Sequence, residues 1–160
     1  MRTIIAIDPG TATTGFALLQ KSRSEVRLLD YGCIITSPKN TLPQRLQIIA
    51  RDLRRLIKRY RPQELAIETL FFAKNVKTAM AVGQARGVTL LIGAENKLKI
   101  SEYTPLQVKQ ALTGYGRADK RQIQLLVKAR LNLKNIPKPD DAADAIAIGL
   151  CHFQTVNLLK

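Results

Sequence analysis

An unbroken apolar run near the N-terminus predicts the first strand. Ile4 to Ile7 are consecutive apolar residues, mostly β-branched, a pattern typical of a strand buried on both faces. The run stops at Asp8, and the Pro9-Gly10 pair that follows favours a turn. A buried carboxylate without a partner is costly. Asp8 therefore either accepts hydrogen bonds from the amides of this turn or belongs to a functional site, and the run alone leaves both interpretations open.

Alternation and helical spacing predict the remaining elements. The predicted strands span residues 14–19, 26–35, 64–68 and 98–103. The predicted helices span residues 42–60, 76 to about 96, 105–112, a basic segment from Lys120 to Arg130 and an acidic segment after Pro139. The first three strands are expected to form an antiparallel meander, and a crossover helix would make the fourth strand parallel to the first. The sequence thus predicts one α/β domain over residues 1–160.

Acidic residues end two of the predicted strands and open the last helix. Glu68 ends its strand as Asp8 ends the first, and parallel strands bring their carboxyl ends to the same edge of a sheet. At the start of the last helix, Asp140 is expected to be a helix cap, whereas Asp141 and Asp144 share one helical face. Capping does not explain Asp144, because this residue lies beyond the first turn. The acids are therefore candidates for one site.

Charge and composition narrow the class of protein. Basic residues outnumber acidic residues by 26 to 12, for a formal net charge of +14, which predicts a polyanionic partner. No apolar run could span a bilayer and no signal peptide is expected, so the prediction is a protein without membrane attachment. Cys33 and Cys151 fit no metal spacing and are expected to be reduced core thiols. The single histidine, His152, is expected to be a packed helix residue, which argues against zinc chemistry or a Ser-His-Asp triad.

A cluster of carboxylates predicts a hard metal ion. If Asp8, Glu68, Asp141 and Asp144 converge, their charges raise one another's pKa values, and a divalent cation removes the repulsion. Oxygen ligands suit Mg²⁺ or Mn²⁺ rather than Zn²⁺. Such a site can hold two ions about 3.5–4 Å apart, which stabilise the attacking and leaving oxygens of a phosphoryl transfer. With a basic exterior, the predicted reaction is hydrolysis of a nucleic-acid phosphodiester.

Six short segments follow one family pattern in register along essentially the whole chain: Ile7-Asp8-Pro9-Gly10, Ala66-Ile67-Glu68, Phe71 with Ala73-Lys74-Asn75, Gly83-Gln84-Ala85-Arg86-Gly87, Gln107-Val108-Lys109-Gln110 and Asp141-Ala142-Ala143-Asp144-Ala145. On these segments the chain resembles the RuvC-type Holliday-junction resolvases of the ribonuclease H-like superfamily. The resemblance implies an α/β, ribonuclease H-like fold: a five-stranded mixed sheet, three strands antiparallel and then two parallel, flanked by helices. It also implies a crossover junction endodeoxyribonuclease that resolves four-way DNA junctions by paired symmetric nicks in recombination and repair.

The resemblance further implies cofactors and partners. Two Mg²⁺ ions per active site are expected, with Mn²⁺ as a substitute. A homodimer is expected through the helix around Ala79 to Gly87, whose small residues need a packing reason. Partnership with a RuvA-RuvB branch-migration complex rests on the family alone and is left open. The expected compartment is the bacterial cytoplasm, with an organellar form as the alternative.

Carried over by position, the family's site residues fall into distinct groups. The metal-binding catalytic acids are Asp8, Glu68, Asp141 and Asp144. Basic residues expected near the scissile phosphate are Lys109 and Lys120. Nucleic-acid contacts are expected at Phe71, which matches an aromatic that stacks on a base, and at Lys74, Asn75, Arg86, Tyr115 and Arg117.

Three other functions fit part of the sequence. A YqgF-like nuclease acting on structured RNA also opens with a strand and an Asp-x-Gly turn, but the Phe71 region and the Asp-Ala-Ala-Asp cluster favour the resolvase. A nucleotide-binding module of the actin and sugar-kinase kind would need a duplicated domain and a longer chain. A non-catalytic DNA-binding protein would explain the charge and leave the acids as caps.

Overall fold

The computed structural model describes residues 1–23, 25–69 and 76–158. Over these ranges the strands are β1 (Arg2–Asp8), β2 (Thr13–Lys21), β3 (Val26–Ile35), β4 (Glu64–Glu68) and β5 (Lys99–Tyr103). The helices are α1 (Leu42–Tyr60), α2 (Val76–Glu95), α3 (Pro105–Thr113), α4 (Lys120–Arg130) and α5 (Asp140–Leu158). None of the described helices is long and apolar enough to cross a membrane.

The strands form one mixed sheet in the order β3-β2-β1-β4-β5. The pairs β1–β2 and β2–β3 are antiparallel, as expected for a meander of consecutive strands. The pairs β1–β4 and β4–β5 are parallel. Helix α1 connects β3 to β4, and α2 connects β4 to β5, which supplies the crossover that a parallel pair requires. The predicted α/β fold, with three antiparallel strands followed by two parallel ones, is confirmed.

Alternation along β1 divides the core between the two faces of the sheet. Ile4 and Ala6 point into a cluster with residues of α3, α4 and α5, whereas Ile5 and Ile7 point into a cluster with residues of α1 and α2. Residues 4–7 are all fully buried, which explains the continuous apolar run in the sequence. Because successive side chains of a strand alternate between the two faces, Asp8 lies on the same face as Ile4 and Ala6, which is the face that α5 covers.

Threonine and aspartate caps begin three of the helices. Thr41, Thr104 and Asp119 each accept a hydrogen bond from the backbone of the third helical residue, in a complete capping box. Asp140, expected to cap the last helix, lies in the first turn of α5, where the helix dipole favours its charge. Its carboxylate also accepts a hydrogen bond from Lys138 Nζ at 2.8 Å, a charge-assisted bond that is stronger than one to a neutral amide.

The two cysteines and the histidine, for which structural roles were predicted, are all at least partly buried. Cys33 is half-buried and Cys151 is buried, and neither forms a disulfide. His152 lies on α5 and is fully buried. The sequence-based prediction of a packed helix residue is confirmed, although His152 is also hydrogen-bonded on both ring nitrogens.

Candidate active site

Asp8 and Glu68 end adjacent parallel strands at one edge of the sheet. Ile7 of β1 pairs with Ile67 of β4, so the residues that follow them leave the sheet side by side. Both carboxylates lie on the sheet face that packs against α5, because each is an even number of residues from an α5-facing alanine, Ala6 or Ala66. The topology therefore brings two acids that are far apart in sequence to the same edge.

A glycine on β2 allows the start of α5 to approach these strands. Gly15 pairs with Asp8 across β1 and β2. A Cβ atom placed on Gly15 would lie only 2.0 Å from the carbonyl oxygen of Asp141. Because no side chain fits in that space, only glycine permits the first turn of α5 to lie this close to Asp8. Our sequence reasoning missed Gly15, although a glycine inside a predicted strand is itself a signal of close backbone approach.

The pKa values show that the charges of the four acids act on one another. Burial, followed by the charges of Glu68, Asp144 and Asp141 in that order, raises the pKa of Asp8 to about 8, and the charge of Lys120 opposes them. Burial, followed by the charge of Asp144, raises the pKa of Glu68 to about 7. The acids at the strand ends and on α5 therefore form one electrostatic cluster, which we call the carboxylate cluster (Asp8, Glu68, Asp141 and Asp144).

Lys120 contributes a positive charge to the carboxylate cluster. Its Nζ lies 3.1 Å from Oδ2 of Asp144 and 3.5 Å from Oδ2 of Asp140. Burial lowers the pKa of Lys120, but the hydrogen bond and charge of Asp144 outweigh it and raise the pKa overall. In return, Lys120 opposes the effect of burial, which raises the pKa of Asp144. The first residue of α4 is thus held against the second turn of α5.

A cleft of about 250 Å³ opens beside the carboxylate cluster, between β4, α3, α4 and α5. Two acids and two lysines contribute to its wall: Glu68, Asp144, Lys109 and Lys120. The remaining lining residues are apolar, among them Val108, Ile123 and Ile148. Because carboxylates and lysines line the same small cleft, the cleft suits a negatively charged ligand that binds together with a metal cation.

The residues expected to contact nucleic acid are spread over several segments. Arg86 on α2 forms an ion pair with Glu102 on β5, and its side chain is mostly buried. Tyr115 and Arg117 are exposed in the connection between α3 and α4, on the side of the chain that leads into Lys120. The predictions at Phe71, Lys74 and Asn75 lie outside the described residues.

The donor set fits a hard divalent cation. The carboxylate cluster offers only oxygen ligands, as Mg²⁺ and Mn²⁺ prefer, and bears repulsion that Lys120 offsets only in part. Among the described residues, no group of three or more His, Cys, Asp or Glu side chains is arranged so that it could hold a metal ion. The four acids therefore fit the ion in ligand chemistry and in charge but not in their present geometry, in which Asp144 is engaged by Lys120.

Comparisons with known proteins assign the family. A family model described as Crossover junction endodeoxyribonuclease RuvC matches residues 4–152. The chain belongs to the RuvC family. It is 56% identical over 155 residues to the curated protein of that name from Halothermothrix orenii, covering 97% of this chain and 94% of the relative. The RuvC of Finegoldia magna is 52% identical over 162 residues, covering 98% and 99% of the two chains. The predicted family is confirmed, and the members of this family are metal-dependent nucleases.

A solved structure of the family extends the likeness to the whole fold. The chain is similar to T. thermophilus RuvC in complex with Holliday junction substrate, with a TM-score of 0.93 and 34% sequence identity. The alignment covers 99% of this chain and 96% of that structure. The likeness therefore extends over the five-stranded sheet and the helices on both of its faces.

Proposed function

We propose that this chain is an endonuclease that resolves four-way DNA junctions by paired symmetric nicks, in recombination and repair. The observation that carries the proposal is the carboxylate cluster, in which burial and then the repulsion of the neighbouring acids raise the pKa of Asp8 to about 8 beside a cleft lined by two lysines. Membership of the RuvC family supports the junction as substrate, as does similarity to a RuvC bound to a Holliday junction. We also infer that residues 1–160 form one nuclease domain, because the two core clusters cover the two faces of one sheet.

We further propose Asp8, Glu68, Asp141 and Asp144 as the ligands of Mg²⁺, with two ions per site and Mn²⁺ as a substitute. Bound metal supplies Lewis-acid stabilisation of the charge that develops on the phosphodiester during in-line hydrolysis. The protein supplies the ligand charges, and it holds them in a partly dry cleft where the cost of their repulsion favours a cation.

The two lysines of the cleft are proposed to hold the phosphate. An ammonium group has three N–H donors, so Lys120 can keep its 3.1 Å bond to Asp144 while a second N–H reaches a phosphate oxygen. Lys109 lines the same cleft from α3. Together they would orient the scissile phosphate against the carboxylate cluster, which is the positioning that phosphodiester hydrolysis requires.

DNA contacts outside the cleft are proposed on the segments around it. Tyr115 and Arg117 are exposed next to α4 and suit the DNA backbone. Arg86 contacts DNA only if its ion pair with Glu102 opens. The family pattern additionally assigns Phe71 to base stacking and Lys74 and Asn75 to DNA contacts. A net charge of +14 provides the long-range attraction for all of them.

A homodimer would supply one active site for each of the paired nicks, and α2 carries a surface that suits its interface. Met80 is 62% exposed and Leu91 is 57% exposed. Gln84 and Gly87 lie between them at helical spacing, and a Cβ on Gly87 would meet nothing within 4 Å. A stripe that has an exposed apolar residue at each end and a glycine between them allows a second helix to approach closely. We propose this stripe as the dimer interface, whereas a RuvA-RuvB complex and the bacterial cytoplasm are proposed from the family alone.

The proposed function is tested by incubating the protein with a synthetic four-way DNA junction, a linear duplex of the same sequence and a structured RNA, each with Mg²⁺ and with a chelator. We expect incision of the junction alone, at symmetric positions in two opposing strands, and only with Mg²⁺. Preferential cleavage of the RNA would instead support the YqgF-like alternative, and binding without cleavage would support a non-catalytic DNA-binding protein.

A further inference from the structure

A chain of buried hydrogen bonds crosses the interface between α5 and the sheet, away from the cleft. Nε2 of His152 lies 2.7 Å from Oε2 of Glu64, and Nδ1 of His152 lies 2.8 Å from the hydroxyl of Tyr103. The other carboxylate oxygen of Glu64 forms an ion pair with Nε of Arg2, at 3.1 Å. His152 is fully buried, and Tyr103 and Glu64 are 5% and 6% exposed. We call these four residues the α5 bolt (Arg2, Glu64, Tyr103 and His152).

The donors and acceptors available on Glu64, His152 and Tyr103 fix the direction of each hydrogen bond in the α5 bolt. The carboxylate of Glu64, paired with Arg2, only accepts, so Nε2 of His152 donates to it. The other ring nitrogen of a neutral histidine then accepts, and the Tyr103 hydroxyl donates. Burial lowers the pKa of His152, which favours this neutral form. Every polar group named here therefore has a partner, and a shift of α5 along the sheet would break several bonds at once.

The α5 bolt joins the elements that carry the carboxylate cluster. Arg2 lies on β1, which ends at Asp8, and Glu64 lies on β4, which ends at Glu68. His152 lies on α5, eight residues after Asp144, or about 12 Å along the helix axis.

Tyr103 connects the bolt to the edge of the sheet where the carboxylate cluster lies. Tyr103 pairs with Glu68 across β4 and β5. Its carbonyl oxygen accepts a hydrogen bond from the backbone N–H of Thr69, the residue that follows Glu68. The Tyr103 side chain thus reaches His152 on α5, while its backbone holds the end of β4.

The other contacts between α5 and the sheet are mainly apolar and constrain the position of the helix along the sheet less than hydrogen bonds do. The buried residues of α5 include several alanines, such as Ala142, Ala145 and Ala147, which give little side-chain relief against the sheet, beside larger residues such as Ile146 and Phe153. Dispersion and hydrophobic burial are non-directional, whereas hydrogen bonds fix distance and angle. The position of Asp141 and Asp144 relative to Asp8 and Glu68 therefore needs a directional constraint.

We propose that His152, Tyr103 and Glu64 are positioning residues that set the place of α5 along the sheet, and thereby align the acids of α5 with those of β1 and β4. The inference rests on the proposed nuclease function, because that function gives the alignment its consequence. None of these residues touches the substrate, and they act through the elements that bear the carboxylate cluster.

The test compares His152→Leu with a control that is destabilising but lies outside the bolt. Leu150→Ala removes a buried apolar side chain two positions away on α5 and no polar contact. His152→Gln is the conservative variant, because its amide can still donate to Glu64. Tyr103→Phe removes a single hydroxyl and keeps the proposal testable if His152→Leu does not fold. Each folded variant is assayed for single-turnover cleavage of a four-way junction and for junction affinity. The Mg²⁺ concentration that gives half of the metal-induced rise in unfolding temperature is measured as well.

We expect His152→Leu to cut at least about tenfold more slowly at unchanged junction affinity, since a misplacement of about 1 Å can cost 10²-fold in rate. It should also need more Mg²⁺ for half-stabilisation, with His152→Gln between it and the parent. Leu150→Ala should lower the unfolding temperature but keep the parental rate and Mg²⁺ requirement. Parental values in folded His152→Leu, or an equal loss in Leu150→Ala, would overturn the proposal. If the parent binds Mg²⁺ but cuts no junction, the proposed function fails, and the Mg²⁺ comparison between His152→Leu and Leu150→Ala still decides this inference.

Discussion

Asp8→Asn should stabilise the metal-free protein while abolishing cleavage. In the folded state, burial and the neighbouring acids raise the pKa of Asp8 from its ordinary value of 3.8 to about 8. Between these two values the folded protein binds a proton that the unfolded chain does not, so the free energy of unfolding falls as pH rises. Asparagine resembles the protonated acid and has no such dependence. The variant therefore avoids the loss of folding stability that the parent undergoes as the pH rises from acidic to neutral.

The size of the effect follows from 1.36 kcal/mol per pKa unit. Between about pH 5 and about pH 7, the free energy of unfolding of Asp8→Asn should gain up to about 2.7 kcal/mol relative to the parent. Urea denaturation in the presence of a chelator, at both pH values, measures this difference directly. A junction-cleavage assay on the same preparations should show no incision by the variant, because it lacks a proposed metal ligand.

Asp140→Asn is the matched control for this experiment. The hydrogen bond from Lys138 lowers the pKa of Asp140, so its contribution to stability is present above its ordinary pKa and is lost as pH falls. Asparagine at this position should therefore bring no stabilisation, and any change with pH should have the opposite sign. The reasoning would be refuted if Asp8→Asn were no more stable than the parent at neutral pH, or if the difference between them did not widen from pH 5 to pH 7.

Three further predictions follow from the site and the α2 stripe. Added Mg²⁺ should raise the unfolding temperature more at pH 8 than at pH 6. Because the pKa values of Asp8 and Glu68 are raised, these carboxylates carry more negative charge at pH 8, and a bound cation relieves more repulsion. A rise that calorimetry finds to be the same at both pH values would contradict this. Gly15→Ala should lower the single-turnover cleavage rate more than junction affinity, because the new Cβ would lie 2.0 Å from a carbonyl oxygen of α5 and displace that helix. An unchanged rate constant would show that a displacement of α5 does not affect cleavage. Leu91→Glu should convert the dimer to a folded monomer in sedimentation experiments, whereas Leu125→Glu, an exposed leucine on α4, should not; a dimeric Leu91→Glu would place the interface elsewhere.

The sheet and the strand ends were predictable because each depends on a local pattern. The apolar run before Asp8 and the short strand before Glu68 are both buried, and a crossover helix between them implies parallel pairing. The two acids therefore had to leave the same edge of the sheet. No comparable pattern fixed the position of α5, because an alanine-rich helix can pack against a sheet at many offsets.

The remaining features depend on tertiary contacts that the sequence does not encode locally. The space at Gly15 exists only because the carbonyl of Asp141 approaches it from α5. Asp140 lies in the first turn of α5, as expected, but its hydrogen bond from Lys138 was not predicted. Arg86 was assigned to nucleic acid, yet it forms an ion pair with Glu102, which is distant in sequence. His152 was predicted as a packed residue, and its two buried hydrogen-bond partners became visible only in the fold.

The central claim is that four carboxylates from three elements form one metal-binding active site. The most direct measurement is anomalous scattering from crystals of the protein soaked in Mn²⁺, recorded at the manganese absorption edge. The account predicts a manganese peak within ligand distance of Asp8 and Glu68, with Asp141 or Asp144 completing the site, and loss of that peak in Asp8→Asn crystals. Manganese bound only elsewhere, or bound equally in Asp8→Asn crystals, would contradict the claim.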